Sequence, residues 1–494
     1  MKAGQSSSGP SWWVSLMPFV ILIVTLATVI RAFDGDALGG PGQVALLFAS
    51  GIAVAISMLF YKTPWSLFEE AICENVKTAG QAILILILIG AISGSWMVSG
   101  VVPMLICYGL KVITPGIFLL AACIICALVS VMTGSSWTTI ATLGVALVGI
   151  GTALGYSPGW TAGAIISGAY FGDKISPLSD TTVLASSMAG TPLFRHIRYM
   201  LITTVPSILI ACTVFLIVSL CHKSPDAAKT TQFAQALRET FHISPWLLIV
   251  PVITGVLVAR KVPAIITLFV SAMTAGICAI IAQPEIVWGV AHAGEDCTYQ
   301  SLGFMDGFKG IFTAFSTSTS VDTGDASLNE LVATRGMKGM LDTVFLILCA
   351  GTFGGTLKAS GMIQSLTDAI TSRIRSRTAM VSATSVTGIC SNMMTGDQFL
   401  SIILTSSLYK KLYDDRGFDS SLLSRTVEDS TTVTSVLIPW NSCGMTQSTV
   451  LKVPTIDYLP YCIFNLLSPL MTIFIAAVGY KIALREQDSA KPSI

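Results

Sequence analysis

Two stretches of the chain place carboxylates and hydroxyls within otherwise apolar sequence. GDKISPLSDTT (172–182) separates the apolar stretches 160–171 and 183–190, and SRTVEDSTTVTSVLIPWNSCG (424–444) is similarly rich in Ser and Thr. Each contains a proline, Pro177 or Pro439, which interrupts helical hydrogen bonding and frees carbonyl oxygens. Carbonyls, hydroxyls and one or two carboxylates together form an oxygen cage, which suits a small alkali cation and suits a soft transition metal poorly.

We interpret both stretches as discontinuous helices whose polar side chains bind an ion or a substrate. The candidates are Asp173, Ser176, Ser179, Asp180, Thr181 and Thr182 in the first stretch, and Glu428, Asp429, Thr431, Thr432, Asn441 and Ser442 in the second. The sodium candidates among them are Asp180, Thr181, Asp429 and Thr432. Asp173 is expected to pair mainly with its neighbour Lys174. The hydroxyls have an alternative role, because Ser and Thr in helices often bond back to the preceding turn.

Two apolar hairpins carry a further pair of polar breaks. Residues 117–152 and 379–409 are each interrupted by Thr-Gly, and the polar residues at these two tips are Thr133, Ser135, Ser136, Thr395 and Asp397. A loop at bilayer depth is tolerated only where it is buried in protein or lines a cavity. We therefore expect two re-entrant hairpins whose tips reach a transport path; the alternative is two ordinary surface turns.

A titratable carboxylate in a desolvated cage provides a mechanism of exchange. Desolvation favours the protonated carboxyl group and a bound cation favours the ionised one, so a cation and a proton compete for the site. If the site is exposed to the two sides of a membrane in turn, this competition is antiport.

The composition predicts a polytopic membrane protein that contains these breaks. Of the 494 residues, 53% are hydrophobic and 11% are charged, and the mean hydropathy is +0.75. Runs without Asp, Glu, Lys or Arg occur at 13–30, 44–61, 79–98, 199–220, 262–284, 430–451 and 458–480. They are continuous rather than alternating, which favours helices over a barrel. The net charge of +1 gives no argument for nucleic acid, and the four histidines fall in or beside predicted loops, which argues against a histidine proton relay.

The chain also repeats itself. MTGSSWTTI (132–140) aligns with MTGDQFLSI (394–402) at a shift of 262, and Ser99-Gly100 matches Ser360-Gly361 at a shift of 261. Recurring shifts of this kind indicate internal duplication, which is common in secondary transporters. Placing the N-terminus inside puts most loop Lys and Arg inside. This arrangement requires five crossings and one same-side hairpin in each half, so the halves are inverted.

The predicted all-α protein therefore divides into two transmembrane repeats. The boundaries are 1–222 for the first repeat, with its hairpin at 117–152 and broken helix at 160–190; 223–243 for a polar linker; 244–485 for the second repeat, with an extra polar segment at 285–330, a hairpin at 379–409 and a broken helix at 425–447; and 486–494 for a C-terminal tail.

The polar motifs resemble those of a known family. MTGSSWTTIATLG (132–144), GDKISPLSDTT (172–182), DTGDASLNELVATRG (322–336) and SRTVEDSTTVTSVLIPWNSCG (424–444) are similar to motifs of the NhaC-type sodium/proton antiporter family, in the wider ion-transporter superfamily. The resemblance implies a multi-pass carrier of the bacterial inner membrane with inverted repeats, two re-entrant hairpins, an elevator-like movement and a homodimer. The loop charges predict cytoplasmic N- and C-termini. The family also includes malate/lactate antiporters coupled to sodium and protons.

The leading hypothesis is exchange of sodium for protons, with no cofactor beyond the transported ions. The alternative within transport is sodium- and proton-coupled exchange of a small organic acid or an amino acid, for which Thr133, Ser135, Ser136, Thr395 and Asn441 would bind the solute. An intramembrane hydrolase using Asp173 and Asp180, or Asp429, is the remote alternative. The inverted duplication and the lack of GxGD or HExxH sequences argue against an enzyme.

Overall fold

The structure is a computed structural model that describes residues 10–33, 40–222, 227–260, 262–293, 299, 301–324, 328–329, 332–371, 374 and 376–482. Within these residues every regular element is helical, and the β contact present is an isolated bridge between Thr319 and Thr334. Eight described helices are long and apolar enough to cross a membrane, or ten if two bent helix pairs each form one span. The prediction of an all-α polytopic membrane protein is thus confirmed.

The helices of the first half surround the first hairpin and the first broken helix. They are α1 (Trp12–Ala32), α2 (Pro41–Tyr61), α3 (Trp65–Val98), α4 (Val101–Val112), α5 (Phe118–Thr133), α6 (Ser136–Thr139), α7 (Val145–Ala153), α8 (Pro158–Ile175), α9 (Asp180–Ala189) and α10 (Leu193–Cys221). A π-helical turn, Ile140–Gly144, joins α6 to α7.

The second half contains the corresponding elements after a short amphipathic helix in the predicted linker. They are α11 (Ala227–Thr240), α12 (Ile249–Ala259), α13 (Ala264–Ala282), α14 (Pro284–Ala291), α15 (Phe304–Ser316), α16 (Leu341–Ala359), α17 (Met362–Thr371), α18 (Arg377–Thr395), α19 (Gln398–Asp415), α20 (Ser420–Val427), α21 (Ser442–Leu451), α22 (Thr455–Tyr458) and α23 (Ile463–Val478). The π-helical turn Glu428–Thr432 extends α20. The predicted tail at 486–494 lies outside the described residues, as do parts of the segments 223–243 and 285–330.

Polar N-caps fix where the central helices begin. Ser157, Ser179, Asp397, Asp419 and Asn441 each accept a hydrogen bond from a backbone N–H in the first turn of the helix that follows. Such caps satisfy backbone donors that would otherwise be unpaired at a helix start. The short polar residues that interrupt the apolar sequence therefore stabilise helix ends inside the bundle.

Local structure repeats at the shift found in the sequence. Helices α9 and α21 are both ten residues long and begin 262 positions apart, and the breaks before them place Pro177 and Pro439 at the same offset. Gly100 and Gly361, each in the left-handed conformation, precede α4 and α17 at a shift of 261. The self-similarity of the sequence thus corresponds to repeated helix ends and breaks.

Helix packing brings the hairpins and the broken helices together. Helix α5 packs along α8, while α20 with its π turn packs against α9, α10, α18 and α19. Helix α3 packs against α13 and α16 on another side of the same region. The polar breaks of both halves consequently meet inside one helical bundle.

Candidate ion-binding site

The first hairpin turns at Gly134, which has a left-handed φ of 67°. Thr133 Oγ1 donates to the Ser135 carbonyl at 3.2 Å, and Ser135 Oγ accepts from the Thr138 N–H at 3.2 Å. The end of α5 and the start of α6 are therefore held by side chains of the tip itself.

The second hairpin has the same construction 262 residues later. Gly396 has a φ of 63°, Thr395 Oγ1 donates to the Asp397 carbonyl at 2.9 Å, and Asp397 Oδ1 accepts from the Leu400 N–H at 2.8 Å. The arms α18 and α19 are antiparallel, since hydroxyl pairs join Thr387 to Tyr409 at 2.8 Å and Thr384 to Tyr413 at 3.1 Å.

The break between α8 and α9 is closed largely by its own hydroxyls. Ser176 Oγ donates to the Val131 carbonyl at 2.8 Å, and Thr182 Oγ1 donates to the Lys174 carbonyl at 2.9 Å. Ser179 Oγ lies 3.0 Å from Thr181 Oγ1. Ser176, Ser179 and Thr182 thus already have partners that stabilise the break, as expected if these residues have a structural role.

Asp173 connects the broken helix to the first hairpin tip. Its Oδ2 accepts from the Ser136 N–H at 3.0 Å and from Ser136 Oγ at 2.7 Å. The predicted pairing of Asp173 with Lys174 is wrong, because Lys174 Nζ binds Asp429 Oδ1 from the second half. Adjacent residues on a helix point about 100° apart, so Asp173 and Lys174 face different neighbours.

The second half has a neutral version of the Asp173 contact. Ser435 Oγ donates to Gln398 Oε1 at 2.8 Å, and both residues lie 262 positions after Asp173 and Ser136. Glu428 and Asp429 are therefore not the counterparts of Asp173, although all three lie near the start of a polar stretch. Glu428 lies seven positions and Asp429 six positions before Ser435, in the π turn.

An acidic cavity of about 410 Å³ lies between the first hairpin tip, the first broken helix, the second hairpin and α3. Its lining residues are Gln81, Ile85, Gly134, Ser135, Trp137, Asp173, Asp180, Thr181, Leu184, Gln398 and Phe399. Two carboxylates and two hydroxyls face the cavity, and no lysine or arginine is among the described residues that line it. The electrostatics therefore favour a cation.

A buried ionic cluster lies beyond the cavity wall. Lys174 Nζ also donates to Ser468 Oγ at 2.9 Å, and Thr203 Oγ1 donates to Asp429 Oδ1 at 3.1 Å. Arg425 Nε lies 3.9 Å from the other oxygen of Asp429. Lys174, Arg425 and Asp429 are all fully buried, so the Asp429 charge is compensated within the protein.

Glu428 lies between the cavity and the ionic cluster. It is fully buried, and its Oε1 accepts from Thr181 Oγ1, a group of the cavity wall, at 3.3 Å. Its Oε2 has no hydrogen-bond partner among the described residues. π-helical turns such as Glu428–Thr432 often occur at functional sites.

The remaining candidates lie in two places away from the main cavity. Thr431 and Thr432 are buried on the π turn, beside Glu428 and Asp429. Asn441 caps α21 and donates to the Asn392 carbonyl at 3.2 Å, and Ser442 Oγ donates to Asp397 Oδ2 at 3.5 Å. Thr395 and Asp397 line a second, much smaller cavity of about 10 Å³, room for roughly one water molecule.

The structure adds residues that the sequence analysis did not select. Gln398 follows Asp397 at the second tip and lines the cavity, and its position 262 residues after Ser136 could have identified it. Gln81 and Trp137 also line the cavity, but Gln81 lies in an apolar run of α3 without a motif.

An all-helical membrane protein with broken helices and hairpin tips around a buried polar cavity belongs to the class of secondary transporters. A family model described as "Na+/H+ antiporter family" matches residues 10–190 and 168–480. The chain belongs to this family, which confirms the resemblance seen in the sequence.

Three characterised relatives are similar over most of their length. The chain is 35% identical to the Na(+)/H(+) antiporter NhaC of Bacillus subtilis (strain 168), covering 87% of this chain and 91% of the relative. It is 35% identical to the malate-2H(+)/Na(+)-lactate antiporter of the same organism, over 85% and 86%. It is 30% identical to the arginine/ornithine antiporter ArcD of Halobacterium salinarum, over 97% and 95%. All three relatives are named as antiporters.

Proposed function

We propose that the protein exchanges sodium ions for protons, with the acidic cavity as the cation site. The main support is a charge count of the buried groups at the cavity and at the ionic cluster. Asp173, Glu428 and Asp429 carry three negative charges, and Lys174 and Arg425 carry two positive ones, all on buried side chains. One proton or one monovalent cation neutralises the difference, and unbalanced charge in a low dielectric is strongly unfavourable.

The cation binds at the cavity wall and the proton binds behind it. Asp180 is exposed to the cavity, and Ser135, Thr181 and Asp173 provide further oxygen atoms around the same space. Glu428 shares the Thr181 hydroxyl with this wall. A cation bound at Thr181 favours ionised Glu428, and its departure favours protonated Glu428, which couples the two ions.

Asp429 has a different role from the sodium ligand expected from the sequence. Its contact with Lys174 and its hydrogen bonds from Thr203 and Ser468 occupy one carboxylate oxygen, and Arg425 lies near the other. Asp429 therefore acts as the counter-ion of Lys174 and holds the two broken helices together. Thr432 follows it on the π turn and does not line the cavity.

Alternating access completes the proposal. The 262-residue repeat of hairpin tips and helix breaks supports a duplicated architecture. We propose that the two repeats are inverted, that their hairpins are re-entrant and that they have the boundaries given by the sequence. Movement of the hairpins and broken helices as one body against α3 would be elevator-like, because α3 provides a separate wall of the cavity. We place the protein in the bacterial inner membrane, as a homodimer with cytoplasmic termini.

The size of the cavity favours a second candidate, coupled exchange of a small organic solute. About 410 Å³ exceeds the need of one bare sodium ion and falls within the usual range for small-molecule sites. The relatives that exchange malate for lactate and arginine for ornithine make such a substrate reasonable. The two carboxylates of the wall favour a solute that bears an amino group over one that bears carboxylates alone.

Purified protein in liposomes separates the two candidates. Internal pH is followed while sodium, lithium, potassium, malate, lactate and single amino acids are added one at a time. Sodium alone is expected to move protons in the opposite direction, and the Asp173→Asn/Asp180→Asn double variant is the matched inactive control. Proton movement that requires an organic solute would replace sodium/proton exchange by the second candidate.

A further inference from the structure

A buried polar face of α20 leads away from the cavity to an exposed ion pair. Ser421, Ser424, Arg425 and Glu428 have the i, i+3, i+4, i+7 spacing of one helix side. At the exposed end, Arg195 Nη2 donates to Asp419 Oδ2 at 2.7 Å, with the Arg195 side chain 54% exposed. Ser421 Oγ donates to the other Asp419 oxygen at 2.6 Å.

His196 lies on this face and is not used by the cation site. The residue is fully buried, and its Nδ1 lies 2.8 Å from Ser424 Oγ. Because Ser424 Oγ donates to the Ser421 carbonyl at 3.2 Å, we assign the ring proton to Nδ1, which donates to Ser424. Nε2 is then a proton acceptor, and it has no hydrogen-bond partner among the described residues.

Other polar atoms of this face also lack hydrogen-bond partners among the described residues, although Arg425 Nε and Asp429 Oδ2 face each other at 3.9 Å. They include all three guanidinium nitrogens of Arg425, Asp429 Oδ2 and Glu428 Oε2, none of which makes a hydrogen bond to the described protein. Buried polar atoms are nearly always paired, and water is the usual partner where protein is not. Their concentration along one helix face indicates a hydrated strip between His196 and Glu428.

We propose that protons reach and leave Glu428 through this strip, with His196 as the relay, by a route separate from the acidic cavity. The inference rests on the proposed role of Glu428 as the proton site. A proton from water binds Nε2, Nδ1 passes its own proton to Ser424 Oγ, and the Ser424 hydroxyl turns away from the Ser421 carbonyl and gives its proton to the next water. Once the ring has returned to its first tautomer, one proton has moved and no group has changed charge.

The charges around His196 fit a relay rather than a storage site. Lys174 acts on the ring electrostatically from α8, and Arg425, next to Ser424, is the other buried cation of this region. Full burial of the ring disfavours a lasting imidazolium, so the ring is neutral at rest and carries a proton only transiently. The sequence places His196 just after a loop, and only the packing of α10 against α20 buries it beside the proton site.

The test compares two activities of full-length protein in liposomes. The first is sodium-driven proton movement, followed by internal pH. The second is exchange of isotopic sodium for unlabelled sodium at equal pH on both sides, which needs no net proton transfer. His196→Asn keeps a hydrogen-bonding group but cannot relay a proton. His222→Asn is the matched control, because His222 lies at the other end of α10 and bonds the Leu154 carbonyl at 3.0 Å.

The relay predicts that His196→Asn slows proton movement by about a hundredfold, the usual effect of losing a proton-transfer group, and leaves sodium–sodium exchange unchanged. Ser424→Ala is expected to have the same selective effect, and His222→Asn to have neither. Equal loss of both activities in His196→Asn, or full retention of both, would overturn the relay. Failure of the unsubstituted protein to move protons on sodium addition would instead reject the proposed sodium/proton exchange.

Discussion

Glu428 and Asp429 are neighbours in one π-helical turn, yet their surroundings assign them different roles. Asp429 contacts the Lys174 ammonium group, with Arg425 near its second oxygen. Glu428 receives a hydrogen bond from the neutral Thr181 hydroxyl. A carboxylate whose hydrogen-bond partner is neutral, in a desolvated site, can gain and lose a proton. The exchange of protons is therefore expected at Glu428.

Amide substitutions should separate these two roles. Glu428→Gln is expected to lower sodium-driven proton flux by about a hundredfold and to leave thermal stability in detergent near that of the unsubstituted protein. Asp429→Asn leaves Lys174 buried without its counter-charge. Loss of one partner of a buried ion pair typically lowers the stability of the folded protein by about 3–5 kcal/mol.

Lys174→Met combined with Asp429→Leu provides the control for the ion pair. Removal of both charges should recover much of the stability lost in Asp429→Asn, since no unpaired charge remains. Thermal unfolding of the three variants gives the comparison. Unchanged stability in Asp429→Asn would contradict the counter-ion role.

Asp173 should affect cation affinity without any dependence on Lys174. In Asp173→Asn the amide oxygen can still accept from Ser136, so the tip remains attached while the negative charge at the cavity is lost. We expect the sodium concentration for half-maximal exchange to rise about tenfold, which corresponds to a loss of about 1.4 kcal/mol of sodium-binding free energy. Additional removal of Lys174 should not rescue the variant. A rescue by removal of Lys174 would contradict this expectation and would support the pairing of Asp173 with Lys174 that the sequence favours.

Side-chain partners were the least predictable feature from sequence. The motif GDKISPLSDTT indicates the polar break, but adjacency in the chain does not make Asp173 and Lys174 partners in space. The actual partner of Lys174 is 255 positions away, on an element of the other half. Such a contact depends on how α8 packs against the π turn, and no local pattern encodes it.

At the scale of elements, the glycine of each hairpin tip combines a left-handed backbone with a close approach. A Cβ at Gly134 would lie 2.6 Å from the backbone carbonyl carbon of Leu178, in the break before α9. A Cβ at Gly396 would lie 2.6 Å from Ala350 Cβ in α16. The tips can thus contact their neighbours closely only because both positions are glycine.

Gly134→Ala should therefore impair transport through the position of the tip. The left-handed conformation costs an alanine about 1–2 kcal/mol, and the clash moves the tip away from the broken helix. A displacement of about 1 Å at a site can cost about a hundredfold in rate, and we expect a loss of this order in sodium-driven proton flux.

Gly417→Ala is the matched control, because Gly417 has a left-handed φ of 71° but a Cβ there would meet nothing within 4 Å. It tests backbone strain without the clash and should keep near-normal flux. Similar losses in Gly134→Ala and Gly417→Ala would show that strain alone, and not the approach of the tip to Leu178, is responsible.

The elements were more predictable than their contacts, because their signals are local. Thr-Gly at 133–134 and 395–396, the two prolines and the 262-residue shift correctly indicated the turns and breaks. The same shift also shows that Glu428 and Asp429, although they lie near the start of the second polar stretch, are not equivalent to Asp173. Both acidic residues belong to the π turn, whereas the position equivalent to Asp173 is Ser435.

At the scale of the whole molecule, the site joins the two halves of the chain. Thr181 and Lys174 from the first half contact Glu428 and Asp429 from the second, and the cavity wall includes both hairpins. Separation of these elements during transport would break a buried ion pair, which is unfavourable. Under the proposed elevator-like movement they travel together, and the contact with α3 through Gln81 and Ile85 is the one that changes.

The proposed inverted arrangement predicts on which side of the membrane particular loops lie. With a cytoplasmic N-terminus and five crossings in the first half, α11 lies outside. Three crossings then follow, formed by α12, α13 and α16, so the end of α19 lies inside, whether or not its hairpin is re-entrant. Gln232 and Asp414 are exposed positions on these two helices, and single cysteines there are expected to react from opposite sides.

Labelling requires a background without the twelve native cysteines, of which Cys73 and Cys221 are exposed in the structure. In intact cells a membrane-impermeant maleimide should label Gln232→Cys, and Asp414→Cys should react only after the membrane is opened. Arg260→Cys, one crossing after α11, is the internal control and should behave like Asp414→Cys. Reaction of Gln232→Cys and Asp414→Cys from the same side would mean an even number of crossings between them. That result would contradict the three crossings that the inverted arrangement requires.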